Sequence, residues 1–105
     1  MEKSGVLQIF DNTSSSWSTV CRHDFTEVEA TVVCKSFGFG MGTVLPARVF
    51  GSVGSTGDMI RRKISCTGPE KDIRDCQYLP QDVFCDSYDD YVSITCFDTK
   101  EIGQF

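Results

Sequence analysis

The 105-residue chain has one histidine, His23, one tryptophan, three prolines and no two cysteines spaced C-x2-C. Each shortage excludes something. Without close-spaced cysteines or a second imidazole, a structural zinc site lacks its usual ligands, and a thioredoxin-like redox motif is excluded with it. No apolar run approaches the ~20 residues that a membrane-spanning helix needs, so this segment is not expected to insert into a bilayer. Basic residues are a minority, ten Lys and Arg against fifteen Asp and Glu, for a net charge of −5. That balance argues against a nucleic-acid binder, whose phosphate contacts need a broad basic surface. Internal repeats, low-complexity tracts and a second domain are also missing.

Cysteine is the exception. Six stand at 21, 34, 66, 76, 85 and 96, separated by 12, 31, 9, 8 and 10 residues. An even count with wide gaps fits three disulfides in an oxidising compartment, although six cysteines allow fifteen connectivities. The staples suit a single domain of this length, whose own core gives a modest margin of stability. Oxidation also removes the thiolates. With one imidazole and no thiolate, no nucleophile, base and orienting group can be assembled, and the chain is not expected to be an enzyme. An extracellular location, secreted or on an ectodomain, follows from the same chemistry. The triplet Asn12-Thr13-Ser14 is a glycosylation sequon that agrees with that route. Met1-Glu2-Lys3 is read as opening a piece of a longer secreted or membrane-anchored protein.

Residues 6–10 are β-prone, 11–16 form a polar turn and 17–21 alternate as a half-buried strand does, which makes a hairpin. Thr26 and Glu29 form a capping box, and Ala30, Val33, Cys34 and Phe37 recur on one helical face up to Gly38. Two valines and a threonine lower the helix propensity, so this helix depends on tertiary packing. Residues 44–47 and 49–50 are short strands or packed loop. Met59-Ile60 leads into a strand expected over Arg61–Cys66, and a helical turn is expected over 69–75 with Ile73 inward. Residues 91–96 read as the closing strand.

In order along the chain, these pieces resemble the scavenger receptor cysteine-rich domain of the six-cysteine type. Gly5-Val6-Leu7-Gln8-Ile9 resembles its opening strand, and Trp17-Ser18-Thr19-Val20-Cys21 its tryptophan-glycine-threonine-valine-cysteine strand. Glu29 to Phe39 looks like its helix, and Cys66-Thr67-Gly68-Pro69-Glu70 runs on to Ile73-Arg74-Asp75-Cys76 as the family pattern does. The resemblance covers 5–97, with 1–4 as a linker remnant and 98–105 as a C-terminal tail. It implies an α+β fold, a small disulfide-stapled domain in which a curved antiparallel β-sheet cradles one main α-helix. It also implies the bridges Cys21–Cys85, Cys34–Cys96 and Cys66–Cys76.

The resemblance raises the question of calcium. Family members often carry two acidic residues after the cysteine matched by Cys21, and a third before the last strand. Here the first two positions are Arg22 and His23, with Asp24 one place late and Asp89 and Asp90 near the third. Arginine cannot ligate calcium, so no cofactor is expected and calcium is disfavoured. Arg22 either replaces the cation by pairing with Asp89 or Asp90, or is separately solvated.

Two surfaces are candidates for ligands. Arg61-Arg62-Lys63 form the one run of three basic residues, and on a strand Arg61 and Lys63 would share a face. With Arg48 or Arg74 they could grip sulfates or phosphates. The competing reading is a charged edge strand protected from aggregation. Aspartates 82, 86, 89 and 90 with Tyr88 and Tyr91 form the second patch, suited to a protein partner. The expected function is therefore that of a non-catalytic extracellular module recognising a protein or a polyanionic, microbial-surface ligand. The alternative is an accessory domain beside a protease or oxidase domain. An inhibitor-like knot would need denser cysteines.

Overall fold

The computed structural model describes residues 2–11, 15–46, 58–60, 62–82 and 90–98. The α+β class with one main helix is observed, and the strands are divided among three sheets. Strands β1 (Glu2–Val6), β8 (Ser93–Phe97) and β4 (Met41–Val44) form an antiparallel sheet with β8 in the middle. The domain start read at Gly5 falls inside β1, which reaches back to Glu2. Strands β2 (Gln8–Asp11) and β3 (Ser16–Val20) make the expected hairpin, and β5 (Asp58–Ile60) pairs with β3 in parallel. The strand expected over 61–66 is β6 (Arg62–Ser65), which pairs with β7 (Gln77–Asp82).

Helix α1 (Glu27–Ser36) starts where its capping box requires. Glu29 Oε1 accepts from the Thr26 N–H at 2.8 Å and from its hydroxyl at 2.6 Å. The other oxygen, Oε2, accepts the Cys66 N–H at 3.1 Å, so this buried carboxylate also ties the helix to the segment after β6. Ala30, Val33 and Cys34 are buried as expected, and Val32 joins them. Phe37 does not. It is the C-cap residue, outside the last helical turn, and stands 64% exposed. Gly38, with φ of +90°, supplies the left-handed position that lets the Phe39 N–H return to the Cys34 carbonyl at 3.0 Å.

Leu7, Ile9, Val20, Phe25, Val92 and Ile94 complete the core on which the helix rests. Two of the implied bridges are formed. Cys34–Cys96 joins α1 to the central strand β8, and Cys66–Cys76 closes a ten-residue loop. Cys21 is oxidised as well, and its expected partner Cys85 lies outside the described residues. The helical turn expected over 69–75 is a 3₁₀ turn at Ile73–Asp75, with Ile73 buried.

Gly42 on β4 lets the helix come this close. A Cβ there would collide with Cys34 Sγ and lie 2.8 Å from the Ala30 carbonyl oxygen. Gly42→Ala is expected to destabilise by about 1–3 kcal/mol, the usual cost of overpacking. Chemical denaturation of the oxidised domain checks this, and an unchanged midpoint would contradict it.

Glu70 closes the turn inside the Cys66–Cys76 loop. Its carboxylate accepts from the Thr67 N–H at 2.8 Å, the Thr67 hydroxyl at 3.0 Å and the Gly68 N–H at 2.8 Å. These bonds, led by that of the Thr67 amide, hold the carboxyl down from 4.5 to about 2. A carboxyl depressed by folding contributes stability above its unfolded value near 4.5, and the contribution is lost as pH falls through about 2. Thermal melts across that window are expected to show a shallower acid limb for Glu70→Gln than for wild type. Superimposable limbs would contradict the assignment.

Candidate ligand-binding surface

Arg22 and Asp90 are brought together, by backbone rather than by an ion pair. The Arg22 N–H donates to the Asp90 carbonyl at 2.8 Å, beside the bridge that pairs Cys21 with Tyr91. Arg22 is half-buried, and its Nε is enclosed without a hydrogen-bond partner. Asp24 is exposed with φ of 63°, and Asp89 lies outside the described residues. The position of Arg22 carries a fixed guanidinium cation, and the Asp90 carbonyl already accepts the Arg22 amide. Among the described residues, the cluster with three ligand atoms within 4.8 Å of one another is Cys66, Glu70 and Cys76. Both of its cysteines are consumed in one disulfide.

The basic run is not gathered into a site by the described residues. Arg61 and Arg48 lie outside them, as does the sequon residue Asn12. Arg62 is exposed, Lys63 is half-buried and Ile64 is buried. Between Arg62 and Ile64 the register with β7 shifts, two residues on β6 standing against four on β7 from Asp82 to Tyr78. Arg74 is already engaged. Its Nε and NH2 donate to Asp72 at 3.1 and 3.0 Å, which holds the Asp72 carboxyl below its ordinary range. Tyr91 is not part of an acidic surface patch either, because its side chain is buried at 1% exposure. Asp86 and Tyr88 lie outside the described residues.

A different surface emerges from strand parity. Ser18 and Val20 point inward from β3, so Trp17 points outward and is 60% exposed. On the preceding stretch Leu7 and Ile9 point inward, so Phe10 points outward. The hairpin register sets Phe10 opposite Trp17, and the rings meet edge to face with centroids 5.5 Å apart. Phe37 joins them from the end of α1, with Lys3 Nζ 5.9 Å from the centre of its ring.

Trp17 and Phe37 together line two adjoining hollows. The larger, of about 320 Å³, follows β1 and its junction with β2, from Lys3 to Gln8, and is floored by Ile94 and Cys96. The smaller, of about 210 Å³, is bounded by Phe10, Ile73 and the Asp72–Arg74 pair. Neither hollow nor the aromatic cluster is among the sites expected from the sequence.

The family model described as "Scavenger receptor cysteine-rich domain" matches residues 1–97. Lysyl oxidase homolog 2 of Homo sapiens is 32% identical over 88 residues, 82% of this chain and 11% of that protein. Galectin-3-binding protein of Pongo abelii is 35% identical over 75 residues, 71% of this chain and 12% of that protein. The chain thus spans about a ninth of the length of these curated relatives. The third SRCR domain of murine neurotrypsin superposes with a TM-score of 0.75 at 24% identity, covering 91% of this chain and 86% of that one. The SRCR domain of mouse MARCO, in its dimeric form, gives 0.73 at 22% identity over 91% and 88%. With its bridges and this match over nearly its whole length, the chain belongs to the scavenger receptor cysteine-rich family.

Proposed function

We propose that this domain is a non-catalytic extracellular binding module whose ligand is a protein surface met by the face that carries Phe10, Trp17 and Phe37. Domains of this family occur in extracellular and secreted proteins and are generally ligand-binding modules without catalysis. No helix among the described residues is long and apolar enough to cross a membrane. The observation that carries the proposal is the clustering of three large exposed aromatic rings around the smaller hollow, two of which also line the larger. Leaving such surface in water is costly, and aromatic residues are enriched where protein interfaces concentrate their binding energy. A non-catalytic role is supported by the chemistry present: the one imidazole is on an exposed residue and the described cysteines are oxidised.

Two other readings have support of their own. Arg62 stands exposed on β6, which favours a polyanionic ligand gripped by Arg61, Arg62 and Lys63. The small share of lysyl oxidase homolog 2 that the chain covers favours an accessory domain within a larger mosaic protein.

The test is binding of the oxidised domain to a panel of purified extracellular proteins and to a heparin-type sulfated polyanion across a salt series. Phe10→Ala/Trp17→Ala and Arg61→Ala/Arg62→Ala/Lys63→Ala are compared with wild type. Protein binding weakened ~10-fold or more by the aromatic pair, and unchanged when EDTA replaces calcium, is expected. Salt-sensitive polyanion binding lost only in the basic triple variant would instead establish the second reading. Absence of binding in both arms would leave the accessory role.

A further inference from the structure

We infer that the larger hollow is a docking groove for an extended segment of a partner protein that carries an apolar side chain beside a carboxylate. The inference rests on the protein-binding reading above and names the occupant. Three features point to it.

The first is shape. The groove is lined by six consecutive residues, Lys3 to Gln8, a run of roughly 17 Å at the usual rise of a strand. A lining that tracks the extended backbone of β1 and its junction with β2 for that distance suits another extended chain.

The second is the floor at Gly5. In the register Gly5 lies opposite Ile94, and directly paired residues of an antiparallel ladder project to the same side. Ile94 is buried on the side of the helix, whereas a Cβ at Gly5 would meet nothing within 4 Å. The absent side chain therefore leaves a hollow between Trp17 and Phe37. An apolar side chain from a partner fills it and covers aromatic surface now in water.

The third is charge. Lys3 is the charged residue among the described lining, and no carboxylate accompanies it there. Its ammonium rests 5.9 Å from the Phe37 ring centre, at the end of the groove. A partner carboxylate completes that end and orients the segment. A second copy of this chain is a poorer occupant, because two molecules each carrying −5 repel.

The test uses a random dodecapeptide library displayed on phage and selected against the oxidised wild-type domain. Enriched peptides are synthesised and titrated by fluorescence anisotropy against wild type, Gly5→Leu, Lys3→Glu and Trp17→Ala. Gly5 has no positive φ that would strain a leucine, and a melt of each variant checks that it folds. The expected peptides pair an apolar residue with a nearby Asp or Glu, and both Gly5→Leu and Lys3→Glu weaken them by ~10-fold or more. Peptides weakened only by Trp17→Ala would overturn the groove while leaving the aromatic face as the protein-binding surface. Failure of the library to enrich, or enrichment of peptides without acidic residues, would overturn the groove. So would wild-type dimerisation that Gly5→Leu abolishes. Peptides indifferent to all three variants would overturn the groove and the aromatic-face reading together.

Discussion

The buried bridge between Cys34 and Cys96 is the constraint on which the rest of the domain depends. It ties the helix to β8, the central strand of its sheet, across 62 residues of chain. By loop-closure entropy a bridge of that span contributes roughly 4 kcal/mol, comparable with the total stability of many small domains. Gly42 on the neighbouring strand is the condition for it, because a side chain there would push against the sulfur and the helix backbone together. The bridge also sets the surface. With Cys34 fixed over β8, the helix ends above β1 and Phe37 emerges beside Lys3 and the Gly5 hollow. A scaffold bond thereby decides where a ligand would be met.

The other end of the helix is held by different means. Glu29 uses one oxygen for its own capping box and the other for the Cys66 amide, so the helix start and the Cys66–Cys76 loop are positioned together. Glu70 then shapes that loop from within. The loop contains Asp72, Ile73 and Arg74, which line the smaller hollow. Staples that are polar and local thus support an apolar surface that neither of them touches.

Much of this was legible in the sequence where the signal was local. Thr26 with Glu29, the polar turn before Trp17 and the alternation before Cys96 each specify an element on their own. The second oxygen of Glu29 was not legible, since its partner lies 37 residues away. Phe37 kept the helical period but falls one residue past the last turn, where the backbone no longer directs it to the core. Trp17 is the instructive case. It is three residues from the buried Val20, and an odd separation on a strand means opposite faces. The same parity separates Phe10 from Ile9. Ser18, in turn, is buried with its hydroxyl unpartnered where the resembling strand carries glycine, a departure that nothing else in the structure explains. The basic run was legible as charge, and the described residues carry only part of it. Of its three residues Arg62 is exposed and Lys63 half-buried, and Arg61 lies outside the described residues.

The central claim is that the aromatic face is open to water and available to a partner. Trp17 is the one tryptophan of the chain, so intrinsic fluorescence of the oxidised domain reports on that face alone. The account predicts a red-shifted emission, ready quenching by acrylamide, and a blue shift with loss of quenching when a selected peptide is bound. A blue-shifted emission shielded from acrylamide in the free, folded domain would contradict it.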